Sequence, residues 1–276
     1  MNFFKHSISN TTATGLRLKG LPRLLELVDR DFKRFFFINL FTLFGFLPLI
    51  AGIVSSILLS SVLILIPACI LGGAIAGPFL ACLYDSILRS LRDVSGKWTK
   101  NYKKAMKQNW KQSILPGIIF GLLFGFYLFM LAMFLWAKKV PTPGTIFVYI
   151  LGLLIIMMFF SLYWPQLVLF EQTQKLRMKN CLLFFLQFFW KTLGCCALII
   201  LYWIVMFLFL PWSILLLFLG GIWFILFIVT FLLYDNLNNA FQIEQQIAQV
   251  FPEQAAFYED DETWLKRKQK ENANMH

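Results

Sequence analysis

The stretch GPFLACLYDSILRSLRD, residues 77 to 93, holds the first groups able to do acid–base or ion-binding chemistry after a long apolar interval. No charged residue lies between Phe35 and Tyr84, and Asp85, Arg89, Arg92 and Asp93 then follow in quick succession. On a helix, Asp85 meets Arg89, and Arg89 meets Asp93, at i to i+4 spacing. Two uses of that arrangement are open. Asp85 either marks the point where a helix leaves a membrane, held by local charge pairs, or lines a binding site below the Gly77-Pro78 break. Glu171 and Asp235 follow other apolar runs in the same way, after Phe170 and Tyr234. The exit reading therefore leads, and it treats the three acids alike.

Other chemistries find less support. Catalysis needs a nucleophile, acid, base or metal gathered in one place. The two histidines, His6 and His276, sit at the chain ends. The five cysteines, Cys69, Cys82, Cys181, Cys195 and Cys196, show no CxxC or metal spacing and read as reduced packing residues. No catalytic, metal or cofactor-binding residue is assigned, and neither enzymatic activity nor a cofactor is expected. An ion-coupled transporter buries ionisable side chains near the membrane midplane, and no apolar run carries one there. A neutral solute site remains conceivable from Asn39, Thr42, Ser161 and aromatic rings. Asn39 and Asp85 are the two binding candidates.

The elements that would position these residues are set by composition. Hydrophobic residues make up 59%, charged residues 14%, and mean hydropathy is +0.71 over 276 residues, far from the soluble norm. A helical span needs about 20 apolar residues, and uncharged runs give six, at residues 35–57, 62–84, 113–136, 145–170, 192–210 and 212–234. These runs are apolar all round, unlike the alternating strands of a β-barrel. The expected fold is an all-α integral membrane bundle of six spans, built as three hairpins in the same orientation. A cytoplasmic arm (1–34), a membrane domain (35–234) and a cytoplasmic tail (235–276) are its parts. The polar arm and full-length first run do not resemble a cleaved signal peptide. Lys and Arg fall overwhelmingly in the arm, the 85–112 and 171–191 segments and the tail; the outer loops hold only Lys138 and Lys139. That bias places both termini inside, in a plasma membrane. It also accounts for the net charge of +11 through an anionic lipid leaflet, with no need for nucleic acid.

Each cytoplasmic stretch carries an amphipathic pattern. Leu18, Leu21, Leu25, Val28 and Phe32 form one stripe, and Trp98, Tyr102, Met106 and Trp110 form another amid lysines. The second stripe fits a helix lying in the headgroup layer, or an ordinary connector. Trp190-Lys191 repeats the pair Trp110-Lys111. Gly117, Gly121 and Gly125 share one helix stripe, and Gly73 and Gly77 lie four apart. Such stripes let backbones approach and mark packing surfaces. Pro48, Pro67, Pro78 and Pro165 are expected to kink or end helices.

Three blocks, NLFTLFGFLP from Asn39, GPFLACLYDSILRSLRD and YKKAMKQNWKQSILPGIIFGLL, resemble successive blocks of the YesL-like family of bacterial membrane proteins, a domain of unknown function. The resemblance covers roughly residues 20 to 235. The chain departs from the family pattern in a longer 49–72 segment and a longer tail. The resemblance implies a multispan inner-membrane protein of bacteria that often encode carbohydrate uptake systems, and it implies no reaction. The leading expectation is a noncatalytic accessory or scaffold component, with the lipid bilayer, anionic lipids and a membrane-protein partner or second copy as its contacts. The alternative is a passive transporter or channel for a small neutral solute.

Overall fold

The computed structural model describes residues 19–93, 97–137, 141–243 and 245. Ser95 and Gly96, the outer residues Lys138 and Lys139, both histidines, Leu18 and the tail beyond 245 lie outside the described residues. The chain is an all-α membrane bundle with six helices long and apolar enough to span. In order they are α1 (Gly20–Leu58), α2 (Val62–Leu91), α3 (Trp98–Trp136), α4 (Pro143–Leu169), a short α5 (Gln174–Gln187), α6 (Phe189–Leu208), and a last span made of α7 (Ser213–Leu216), a π-helical turn (Leu217–Gly221) and α8 (Ile222–Phe241).

Two of the three amphipathic segments are not separate surface helices. Residues 20–34 belong to α1 and residues 98–112 to α3, so each of these 39-residue helices runs straight through. At 1.5 Å per residue such a helix is about 58 Å long, against a hydrocarbon core of about 30 Å. About 20 Å of α1 and of α3 therefore continues beyond the apolar zone on the basic side. The third segment behaves differently: α5 ends at Gln187, and α6 restarts after Phe188, whose φ of −118° and ψ of 41° break the helix. The hydroxyl of Thr173 caps α5 by accepting from the Leu176 N–H, and that of Thr142 caps α4, with Pro143 at its first turn.

Of the two effects expected of the prolines, helix ending does not occur. Pro48 lies inside α1, Pro67 and Pro78 inside α2, and Pro165 inside α4, and none ends its helix. Neighbouring helices hold the chain helical where the ring removes a donor, as membrane packing allows.

The central element is α2, which packs most extensively against α3 and then α1, and also touches α4 and α8. Glycine makes these approaches possible. A Cβ built on Gly73 would strike the carbonyl oxygen of Gly117, and one on Gly117 that of Gly73. One on Gly77 would meet the Ser113 carbonyl, one on Gly121 would lie 2.8 Å from the Cys69 carbonyl oxygen, and one on Gly125 would strike the Cys69 sulfur. The stripes on α2 and α3 thus face each other, backbone against backbone. On the other side of α2, Gly72 lies against the Leu49 backbone and Gly52 against Ala68.

Candidate functional site

Every residue of α2 from Leu80 onward, and the turn through Asp93, is buried. That corrects the reading of Asp85 as an exposed helix-exit residue. The cause is the extension of α1, which covers this end of α2 with Leu27 and Phe35, both fully buried beside Ile87, Leu88 and Leu91. The hydrophobic core therefore continues past the apolar spans. The five basic and acidic residues along one face of α1 then have to be satisfied inside it.

Arg23, Glu26, Arg30, Asp31 and Arg34 lie at steps of three, four and one along α1, and so face α2 together. The Arg23 guanidinium donates to Glu26 at 2.9 Å and to Asp93 at 2.5 Å. Arg30 donates to the other Asp93 carboxylate oxygen at 2.5 Å, to Asp31 at 3.0 Å and to the Ser90 carbonyl at 2.9 Å. Arg34 donates to the Ser86 carbonyl at 2.7 Å and lies 3.7 Å from Asp31. The Ser90 hydroxyl donates to Asp31. Within α2, Arg89 Nε donates to Asp85 Oδ2 at 2.7 Å. Four guanidinium groups (Arg23, Arg30, Arg34, Arg89) thus meet four carboxylates (Glu26, Asp31, Asp85, Asp93). The expected Arg89–Asp93 pair is replaced by Arg23 and Arg30 reaching across from α1.

Asp93 can serve both arginines because it closes α2 in the left-handed conformation, at φ 57°, with its N–H donating to the Ser90 carbonyl. A short polar side chain tolerates that geometry where most residues do not. Burial works against the Arg30 charge, but Asp31 and Asp93 outweigh it and raise its pKa. For Arg34, burial dominates and lowers the pKa, with Asp31 and Asp85 opposing and Arg89 and Arg30 adding to the effect. Both residues lie before the apolar stretch that opens at Phe35. Arg34 Nε has no hydrogen-bond partner among the described residues. Glu171 and Asp235, by contrast, are exposed, so the three acids that end the even spans are not alike.

Asn39, the other binding candidate, is fully buried and turned toward the last span. Its Nδ2 donates to the carbonyls of Leu217 and Phe218 at 3.0 and 3.1 Å, and its Oδ1 accepts from the N–H groups of Ile222 and Trp223 at 3.2 and 3.3 Å. A π-helical turn leaves backbone groups out of the regular ladder, and one amide satisfies four of them, its full capacity. Asn39 is a clamp on the last span rather than an open contact for a solute. Thr42 donates to the Ile38 carbonyl and Ser161 to the Met157 carbonyl, both within their own helices. Cys196 lies near Ser161 and near Tyr84, whose hydroxyl has no partner among the described residues.

The Trp98–Trp110 stripe is also corrected. Trp98 stacks on Phe37 at 5.7 Å, Tyr102 lies on Phe41 at 5.5 Å, and the Cys82 sulfur is 3.9 Å from that of Met106. These side chains join α3 to α1 and α2 instead of entering lipid; only Trp110 is well exposed, at 44%.

Sequence reasoning missed Arg177 as more than one of several basic residues. It is 1% exposed, donates to Tyr163 Oη at 3.2 Å and to the Gln172 carbonyl at 3.1 Å, reaches Phe170 O and Gln112 Oε1 at 3.5 Å, and lies 5.2 Å from the Tyr163 ring centre. All these partners are neutral. The spacing of Arg177 from Tyr163 could not be read from sequence, because the α4–α5 turn that joins them has no periodic signal. Among the described residues no cluster of three or more His, Cys, Asp or Glu side chains could hold a metal.

No protein-family model, no curated protein and no solved structure matches the chain. The resemblance to the YesL-like family therefore rests on the three sequence blocks alone.

Proposed function

We propose that the chain is a noncatalytic accessory or scaffold component of a bacterial plasma membrane, with both termini cytoplasmic, that presents its rigid basic end to a partner subunit. The observation that carries this reading is the α1–α2 ion network. A two-helix extension cross-tied by Arg23–Asp93 and Arg30–Asp93 ion pairs holds a fixed shape beyond the membrane, which suits a docking platform. Asn39 is engaged by the last span and Asp85 by Arg89, and the glycine stripe of α2 is packed against α3. The family resemblance adds carbohydrate uptake as the process in which to look for the partner.

A second reading, a passive path for a small neutral solute, is favoured by the π-helical turn in the last span and by the Tyr84 hydroxyl, which lies near Cys196 and has no partner among the described residues. Reconstituted protein separates the two. The scaffold reading expects no solute flux above protein-free vesicles and recovery of a stoichiometric partner from membranes. Saturable flux by the purified chain alone would favour the second reading.

A further inference from the structure

Along the α3 extension runs an open groove of about 740 Å³, lined by Lys103, Met106, Lys107, Trp110, Lys111 and Gln112 among others. Its charge is uncompensated. No acidic residue occurs in the sequence between Asp93 and Glu171, and none of the ion pairs among the described residues involves these lysines. At one end of the groove stands Gln112, whose Oε1 is 3.5 Å from Nη2 of Arg177. Arg177 is 1% exposed, and among the described residues it has only neutral partners and leaves its Nε without one. That buried guanidinium adds a further positive charge to those of the lysines, and by engaging the Gln112 oxygen it leaves the amide N–H₂ free to donate.

Depth identifies the ligand. The apolar part of α3 opens after Ser113, so at 1.5 Å per residue Lys111 and Lys107 lie about 3 and 9 Å beyond it along the axis. The headgroup layer is about 5 to 8 Å thick on each side of the hydrocarbon, so Lys111 lies within it and Lys107 at its outer edge, and their flexible stems let both ammonium groups reach a phosphate. Trp110, between the two lysines and half exposed, is the aromatic residue expected at that level.

We propose that this groove holds the headgroup of an anionic phospholipid as a bound lipid, its phosphate between Lys107 and Lys111 and its polar head against Gln112. The site is independent of whether the chain scaffolds or transports.

The test is native mass spectrometry of the full chain released from nanodiscs containing equal phosphatidylglycerol and phosphatidylcholine. The expected result is one retained phosphatidylglycerol. Each lysine near a charged leaflet contributes about a fivefold effect, so Lys107→Gln with Lys111→Gln should lower that retention about 30-fold. Lys107→Arg with Lys111→Arg, which keeps the charge, should preserve it. So should Lys175→Gln with Lys179→Gln, an equal charge loss on α5 two residues to either side of Arg177 and hence on its opposite face. Inorganic phosphate in large excess should leave the retained lipid in place. Equal retention of the two lipids, unchanged retention in the Lys107/Lys111 glutamine variant, an equal loss in the Lys175/Lys179 variant, or displacement by inorganic phosphate would each overturn the proposal. The last would indicate a site for a free phosphate.

Discussion

Asp85→Asn is the substitution on which exposure and burial disagree most. An exposed i to i+4 pair contributes about 0.3 to 0.5 kcal/mol, and loss of it would pass unnoticed. Here both side chains of the Asp85–Arg89 pair are only 8% exposed. Removing one partner of a buried pair leaves the other charge uncompensated, at a cost of about 3 to 5 kcal/mol. Neighbouring Arg34 makes the loss worse, because it adds a second guanidinium to the same pocket. If the penalty falls on local opening of the α1–α2 extension, the opening equilibrium rises roughly 10²- to 5 × 10³-fold. Hydrogen exchange on purified protein in detergent reads this directly, through the amides of residues 20–34 and 85–93. Glu171→Gln and Asp235→Asn, made singly, serve as exposed controls and should leave those amides unchanged. Replacing the pair together, Asp85→Leu with Arg89→Leu, should recover most of the protection, since the stranded charge is then gone. Equal exchange in Asp85→Asn and Asp235→Asn would refute the reasoning and return Asp85 to the surface.

Asp93→Asn should also speed exchange in residues 20–34, but less than Asp85→Asn, because Arg23 keeps Glu26 and Arg30 keeps Asp31; coupling to Arg23→Met in a double-mutant cycle measures the pair. Gly121→Leu should lower detergent stability by about 1 to 3 kcal/mol or block assembly, because the Cys69 backbone cannot yield, whereas Leu123→Ala on the exposed face should cost little; unfolding midpoints of the two variants give the comparison. Asn39→Leu strands two carbonyls and two N–H groups at the π-helical turn, with about 1 to 3 kcal/mol lost for each group that finds no substitute, and exchange at Ile222 and Trp223 reports it. For topology, single cysteines at positions 103 and 144 in a cysteine-free background should label oppositely with an impermeant reagent in intact cells, with 144 reactive and 103 protected.

Six spans, their order and the glycine faces of α2 and α3 could be read from the chain because each is a local signal: a run of apolar residues, or a stripe at helical spacing. The α1–α2 network could not. Its partners lie 52 to 70 residues apart, and nothing in the local pattern says that the polar face of α1 will be covered. The i to i+4 rule gave Asp85–Arg89 correctly but misassigned Asp93, which a left-handed turn swings toward α1. Asn39 looked like a polar residue free in a membrane because the π-helical turn that it serves is far along the chain. The Trp98–Trp110 stripe had the right period and the wrong neighbour. Periodicity identifies a buried face, and only the tertiary fold decides whether lipid or protein covers it.

The proposal that the basic end is a docking platform is tested most directly by cross-linking in native membranes, with a photoreactive residue placed at Lys103 or Lys175 on the basic end, or at Gly144 on the other, followed by mass spectrometry. The account predicts one membrane-protein partner captured in near-stoichiometric amount from both basic-end positions, absent from position 144, and reduced when Asp85→Asn opens the α1–α2 extension. No capture above the position-144 background at either basic-end position would contradict it.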